Sequence, residues 1–283
     1  MTSPPPTPPA SGRGARQALA EATASFAQVS QTPRLDAELL MAHALGTTRE
    51  SLLLRHLDDP APPTFAPFVA RRLDHEPIAY ITGTRGFWTI ELQVGPGALV
   101  PRADSEALIE AAVAHFGARA PATILDLGVG PGTLLLAALD QWPGATGLGV
   151  DASTTALDMA KGNAARLGME ARARFEPGNW ADTIAGQFDL ILANPPYIGT
   201  GETLPAEVRD HEPASALFAG PDGLDDYRLI APQLPRLMAP GGVAILEIGS
   251  TQAEAVTALL VAQGLSVTLR YDLGNNPRAL IAT

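Results

Sequence analysis

An apolar run, Phe188–Ala193, ends in the tetrapeptide Asn194-Pro195-Pro196-Tyr197. Proline fixes φ and lacks a backbone donor, so two in succession cannot extend a central ladder and must leave it as a rigid, extended turn. Asn194 and Tyr197 therefore stand on a stiff lip at a strand end, where open α/β sheets bind ligands. A planar nitrogen, such as an amide or an exocyclic amine, is a poor nucleophile because its lone pair is delocalised, and orientation must do much of the activation. The Asn194 side-chain oxygen and the Pro195 carbonyl can each accept one hydrogen of an NH2 group, with Tyr197 as an aromatic wall. Were the electrophile the methyl of a sulfonium, the departing sulfur would be neutral and no strong general base would be required. A rigid strand-to-loop turn without chemistry is the bland alternative.

A second group of residues lies upstream. Gly128, Val129, Gly130, Pro131 and Gly132 follow the strand-like run ATILDL and open a helix-like one. The glycines let backbone approach a ligand closely, and Pro131 suits the first helical turn. The spacing GxGxG puts Thr133 where a dinucleotide fingerprint has its last glycine, which argues against a dehydrogenase. Asp151 follows Gly128 by 23 residues, at the end of the next strand. There an acid can accept from a ribose diol or cap the helix beginning near Ser153; beside the glycine loop, ribose binding is favoured. Trp180, in EPGNW, offers a platform for a purine face or a place in the core or at its lip.

The elements that must position these residues can be read from periodicity. The runs ATILDLG, TGLGVD, ARFEP, FDLILA, GGVAILEIG and LSVTLRYD are strand-like and alternate with helix-like segments such as TTALDMAKGNAARLG and TQAEAVTALLVAQG. Such alternation predicts a doubly wound parallel sheet covered by helices on both faces. Residues 17–77 predict a small helical bundle. In RLDAELLMAHALG, Leu35, Leu39, Ala42 and Leu45 share one face, with Gly46 as the C-terminal cap. Thr47 and Glu50 fit a capping box that opens the next helix. Over 78–101 the runs IAYITG, GFWTIELQVG and ALVP predict short strands and a β-hairpin linker, followed by an α/β domain over 102–283.

Composition narrows the classes. The chain has 283 residues, no cysteine and a formal net charge of −11. Disulfides, thiolate zinc sites and cysteine nucleophiles are excluded, and the histidines have no metal-ligand spacing. The negative charge and the lack of a dense basic run point away from nucleic acid and towards a small-molecule or protein substrate. No apolar run is long enough to span a membrane, and the Pro/Ser/Gly-rich residues 1–16 read as a disordered leader without a secretory signal, hence a cytoplasmic protein.

The ordered set EPIAYITGTRGFW, LVPRADSEALIEAA, ILDLGVGPGTLLLAAL, VDAS, NPPYIG, EPASALFAGPDGLDDYRLI, GGVAILEIGSTQ and DLGNNPRAL resembles the HemK/PrmC family of protein-(glutamine-N5) methyltransferases. The resemblance implies a seven-stranded, Rossmann-like methyltransferase domain that uses S-adenosylmethionine, behind a five-helix N-terminal domain and a β-hairpin linker. It implies that the loop Gly128–Gly132 lies against the methionine part of the cofactor, that Asp151 holds the ribose and that Trp180 lies by the adenine. Asn194, with the Pro195 carbonyl, would bind the substrate amide, and Pro196 and Tyr197 would line its slot. The implied substrate is the glutamine of the Gly-Gly-Gln loop of class 1 release factors; glutamine methylation of a ribosomal protein is the close alternative and adenine-N6 methylation a distant one. Ala103 departs from the family's usual proline, whereas Asp104, Ser105 and Glu106 keep the chemical types. Asn179 stands where many relatives have Asp. Arg102 could order the cleft or form a surface salt bridge, and Glu212, Glu247 and Arg278 have no assigned role.

Overall fold

The computed structural model describes residues 14–283, which fall into two compact units, residues 14–82 and 83–283. Most of the expected leader lies outside the described residues. Its last residues do not behave as a leader: Gly14 bridges to Pro60, and Ala15 and Arg16 already belong to the first helix.

The first unit is helical: α1 (Ala15–Phe26), α2 (Pro33–Leu45), α3 (Arg49–Ser51, continued by a π-turn over Leu52–His56), α4 (Phe65–Leu73) and α5 (Ile78–Thr82). Leu19, Phe26, Leu40, Met41, Leu52 and Phe65 form its core. Helix α2 ends at Gly46 as expected, with φ +64° and its N–H bonded back to Ala42 and His43. Its buried face is rotated from the expected one. Ala37, Leu40 and Met41 are buried together with Ala42 of the expected face, while Leu35 is exposed, and Asp36 lies on the buried side in an ion pair with Arg72 at 2.8 Å. The next cap is Thr48, not Thr47, its hydroxyl accepting from Ser51 N. The run IAYITG, expected as a strand, is helix α5. Tyr80 N and Ile81 N bond to the Pro77 carbonyl, and burial of Ala79, Tyr80 and Ile81 outweighs β-propensity.

The second unit begins with a hairpin, β1 (Thr84–Phe87) and β2 (Ile90–Gln93). A seven-stranded sheet follows, formed by β3 (Thr123–Leu127), β4 (Thr146–Asp151), β5 (Ala173–Pro177), β6 (Phe188–Ala193), β7 (Met238–Glu247), β8 (Val267–Tyr271) and β9 (Pro277–Ala282) in the order β5-β4-β3-β6-β7-β9-β8. The sheet is mixed rather than wholly parallel, since β9 runs antiparallel to both β7 and β8. A tight turn, with Asn275 at φ +61° and its N–H on Asp272 O, folds the last two strands into a hairpin. The segment ALVP forms no strand; Val100 N instead donates to Glu212. Among the helices are α6 (Glu106–Phe116), α7 (Thr133–Gln141), α8 (Thr154–Arg166), α9 (Ala206–His211), α10 (Asp225–Ile230), α11 (Leu234–Leu237) and α12 (Ala253–Val261). Central strands β3, β6 and β7 bury almost every residue near their C-terminal ends, as strands covered on both faces must.

The chain winds outward through β3, β4 and β5 and then returns to β6 on the other side of β3. The crevice at this switch of direction is where such sheets bind ligands. Parallel register pairs Leu127 with both Val150 and Ala193. The glycine loop, Asp151 and Asn194 thus emerge side by side from neighbouring strand ends.

Candidate active site

The glycine loop is shaped by backbone demands. Gly128, Gly130 and Gly132 all have positive φ, which other residues adopt only with strain. A Cβ at Gly128 would come 3.1 Å from the Trp180 ring. Gly130 N donates to Asp151 Oδ2 at 2.8 Å, and Asp151 Oδ1 accepts from Ser153 N at the same distance. Asp151 thus ties loop to strand, while Ser153, whose hydroxyl accepts from Ala156 N, is the helix cap. A carboxylate has lone pairs left for hydroxyl donors after those two bonds. Gly132 is favoured by its φ of +93° and by packing, since a Cβ there would meet the Leu136 side chain at 2.6 Å. Pro131 precedes the N-terminal cap of α7 rather than lying in its first turn.

A cavity of about 250 Å³ lies over these strand ends. It brings together Gly128, Val129, Gly130, Pro131, Asp151, Trp180, Asn194 and Pro196; Gly132 and Pro195 do not border it. A second cavity of about 260 Å³ is bordered by Tyr197, Ile198, Leu204, Val208 and Glu247 and shares Leu99, Arg102, Asn194 and Ala216 with the first. Asn194 stands between the two.

Trp180 sits at φ +52°. Its Nε1 donates to Asp226 Oδ1 at 3.1 Å, which orients the indole along the cavity wall. Asn179 borders the same cavity and turns its amide to Asp182 at 3.4 Å. Asn194 Nδ2 donates to the buried Ser105 hydroxyl at 3.3 Å. Tyr197 donates its hydroxyl to Glu247 Oε1 at 3.5 Å, and its carbonyl accepts from Gln252 Nε2 at 2.9 Å. Burial, reinforced by the Glu247 charge, pushes the Tyr197 phenol up to about 12, so it stays protonated.

Sequence reading gave no role to several residues that build this site. Asp126 is buried beneath the glycine loop, with Oδ2 accepting from Leu135 N at 3.0 Å and Oδ1 without a partner among the described residues. Burial, partly opposed by that bond, raises its carboxyl to about 7. Asn163, buried in α8, accepts from Gln93 N and donates to the carbonyls of Gln93 and Pro131, joining hairpin to glycine loop. Glu212 is buried, accepts from Val100 N and pairs with Arg102, so Arg102 orders the cleft rather than forming a surface salt bridge. Arg278 bonds Asp272 at 3.1 Å and pairs with Asp104 at 3.3 Å. A visible sign was available for Asp126 and Glu247: each is the lone acid of a strand-like run, Asp126 within TILDL and Glu247 at the end of GGVAILE.

Residues 17–83 match the PrmC N-terminal domain, and residues 104–209 match the methyltransferase small domain. The release factor glutamine methyltransferase of Rhodospirillum rubrum is 43% identical over 261 residues, covering 89% of this chain and 79% of its own. The chain belongs to the release factor glutamine methyltransferase family. The member from Caulobacter vibrioides is 41% identical, with 88% of this chain and 89% of its own covered. In fold, the chain is like a ribosomal protein L11 methylase from Lactobacillus delbrueckii subsp. bulgaricus, with a TM-score of 0.50, 20% identity, and coverage of 64% of this chain and 79% of the other.

Proposed function

We propose that the protein transfers a methyl group from S-adenosylmethionine to the side-chain amide nitrogen of the glutamine in the Gly-Gly-Gln loop of class 1 release factors, in the cytoplasm. Family membership supports the reaction class. The observation that carries the assignment to a site is the position of Asn194, which borders both cavities at the strand end where the chain changes direction.

The first cavity suits the cofactor. Its wall carries Asp151, whose carboxylate favours a ligand bearing positive charge, and Gly130, where a Cβ would meet nothing within 4 Å, leaves backbone open to close approach. The Gly128–Pro131 stretch and Asp151 would hold it, with Trp180 as a flat wall beside it. Bound there, S-adenosylmethionine supplies a methyl group activated by a sulfonium. Asn194 Oδ1 and the Pro195 carbonyl would take one hydrogen each from the glutamine NH2, fixing the nitrogen's direction of approach. Pro196 and Tyr197 would line the slot. No histidine or lysine is among the described residues bordering either cavity. None is needed as a strong base, because an amide nitrogen becomes acidic as it gains the methyl. The helical unit would help to grip the large protein substrate.

The test is mass spectrometry of a purified release factor incubated with the protein and S-adenosylmethionine. One added methyl on the Gly-Gly-Gln glutamine, absent with Asn194→Ala although the variant still binds the cofactor, is the expected result. No methyl there, with cofactor binding intact, would overturn the substrate and direct the search to ribosomal protein and then to nucleic acid.

A further inference from the structure

Arg102 stands where the two cavities meet. It borders both, as Asn194 does, and is the only cationic side chain lining either among the described residues. Glu212, buried where α9 ends, fixes it in place. One Glu212 oxygen accepts from Val100 N at 3.0 Å and the other from the Arg102 guanidinium, so residues 100 and 102 are anchored to a single carboxyl. Both partners are obligate donors, a backbone N–H and a group that stays charged, which settles the direction of both bonds. A guanidinium carries several N–H groups in a rigid fork. Arg102 bonds no side chain besides Glu212 among the described residues, and its own side chain is 35% exposed. Donors are therefore left over for a ligand.

The surroundings say what kind of acceptor those donors suit. The second cavity is walled mostly by apolar side chains, Leu99, Ile198, Leu204, Val208 and Leu217. A peptide that enters it strips water from its main-chain carbonyls, and a carbonyl left there without a donor is costly. The amide oxygen of the glutamine side chain is the wrong target, because a donor on it draws the nitrogen lone pair further into the carbonyl and weakens the nucleophile. A main-chain carbonyl carries no such penalty. We propose that Arg102 is a substrate-binding residue that donates to a main-chain carbonyl of the segment carrying the acceptor glutamine, and that Glu212 is the positioning residue that aims it. The proposal rests on the substrate and the role of Asn194 given above.

Steady-state kinetics on an intact release factor at saturating S-adenosylmethionine test this. Arg102→Ala should raise KM by about tenfold to a hundredfold, the worth of a charge-assisted hydrogen bond, with kcat nearly unchanged, as when binding is lost equally from ground and transition states. Arg102→Lys keeps the charge without the fork and should recover only part of the loss. Glu212→Gln cannot accept on both sides and should raise KM in the same direction. The double variant Arg102→Ala/Glu212→Gln removes the buried charge along with its partner, so it keeps the test open if a single variant melts early. It should match Arg102→Ala, because both changes act on one donor. Cofactor affinity, measured by calorimetric titration, should stay near that of the parent throughout. A second readout separates contact from mere structure. In Gly-Gly-Gln peptides whose main-chain carbonyls beside the glutamine are replaced one at a time by thioamides, which accept more weakly, one position should bind the parent less tightly. That penalty should vanish in Arg102→Ala. An unchanged KM in folded Arg102→Ala, or a thioamide penalty equal in parent and variant, overturns the proposal. So does a loss of cofactor affinity in place of the KM effect, which would give Arg102 to the cofactor's carboxylate. A parent that leaves the release factor unmethylated overturns the substrate reading, and this proposal with it, before any variant is made.

Discussion

Position 128 shows how tightly a single residue can be specified at the rim of this cavity. Its φ of +75° penalises any side chain, and a Cβ would press on Trp180. Gly128→Ala should lose about 1–2 kcal/mol of stability, the strain of a left-handed alanine. It should also weaken S-adenosylmethionine binding, which denaturant midpoints and calorimetric titration would measure. Asp126 makes a different kind of prediction. Its carboxyl rises from an ordinary 3.8 to about 7 because burial disfavours the charge. The native state therefore holds the proton more tightly than the unfolded chain, and the group's contribution to stability falls as pH rises through that interval and then levels off. Asp126→Asn cannot titrate, so its urea midpoint relative to the parent should improve between about pH 5 and about pH 8. An equal gap at both ends would contradict this.

At the scale of elements, the site depends on side chains that fasten one segment to another. Tyr227 of α10 is fully buried and donates to the Glu247 carbonyl at 2.7 Å, pinning that helix to the end of β7. Tyr227→Phe leaves that carbonyl without its donor and should cost about 1–3 kcal/mol, read as a lower denaturant midpoint. Asn163 does the same for the hairpin and the glycine loop, and Glu212 for the segment around Val100. The expectation of α2 failed in one respect at this scale. Leu35, Leu39, Ala42 and Leu45 suggested the buried face, but of these only Ala42 is fully buried, and Asp36, paired with Arg72, lies inward beside Ala37, Leu40 and Met41. Periodicity sees hydrophobicity and is blind to an ion pair whose partner lies far along the chain.

At the scale of the molecule, each unit has its own core, and the residues bordering both cavities belong to residues 83–283. A chain beginning at Gly83 should therefore fold and bind S-adenosylmethionine within about twofold of the parent, since a unit with its own core can fold alone. If the helical unit grips the protein substrate, turnover on an intact release factor should drop more than about tenfold while a short Gly-Gly-Gln peptide is affected less, because a tethered second contact raises effective concentration. Methyl incorporation into both substrates, measured side by side, checks this. Equal losses would remove the helical unit from recognition.

Much of this molecule was legible in its sequence because the decisive features are local. Two prolines end a strand wherever they fall, closely spaced glycines mark a loop of unusual φ, and strand–helix alternation announces a doubly wound sheet. These rules act over a few residues, so the glycine loop, Asp151 and the Asn-Pro-Pro-Tyr turn could be found before any fold was known. Tertiary structure decided what lies behind them. The run IAYITG became a helix because burial against neighbours outweighed its β-propensity, and the last strand turned back antiparallel through a tight turn. Ser105 and Glu247 gained their place beside Asn194 from elements far apart in the chain, brought together by parallel strand register and the packing above it. Buried polar contacts of that kind have no period and no fixed spacing, and they come into being only when the sheet closes.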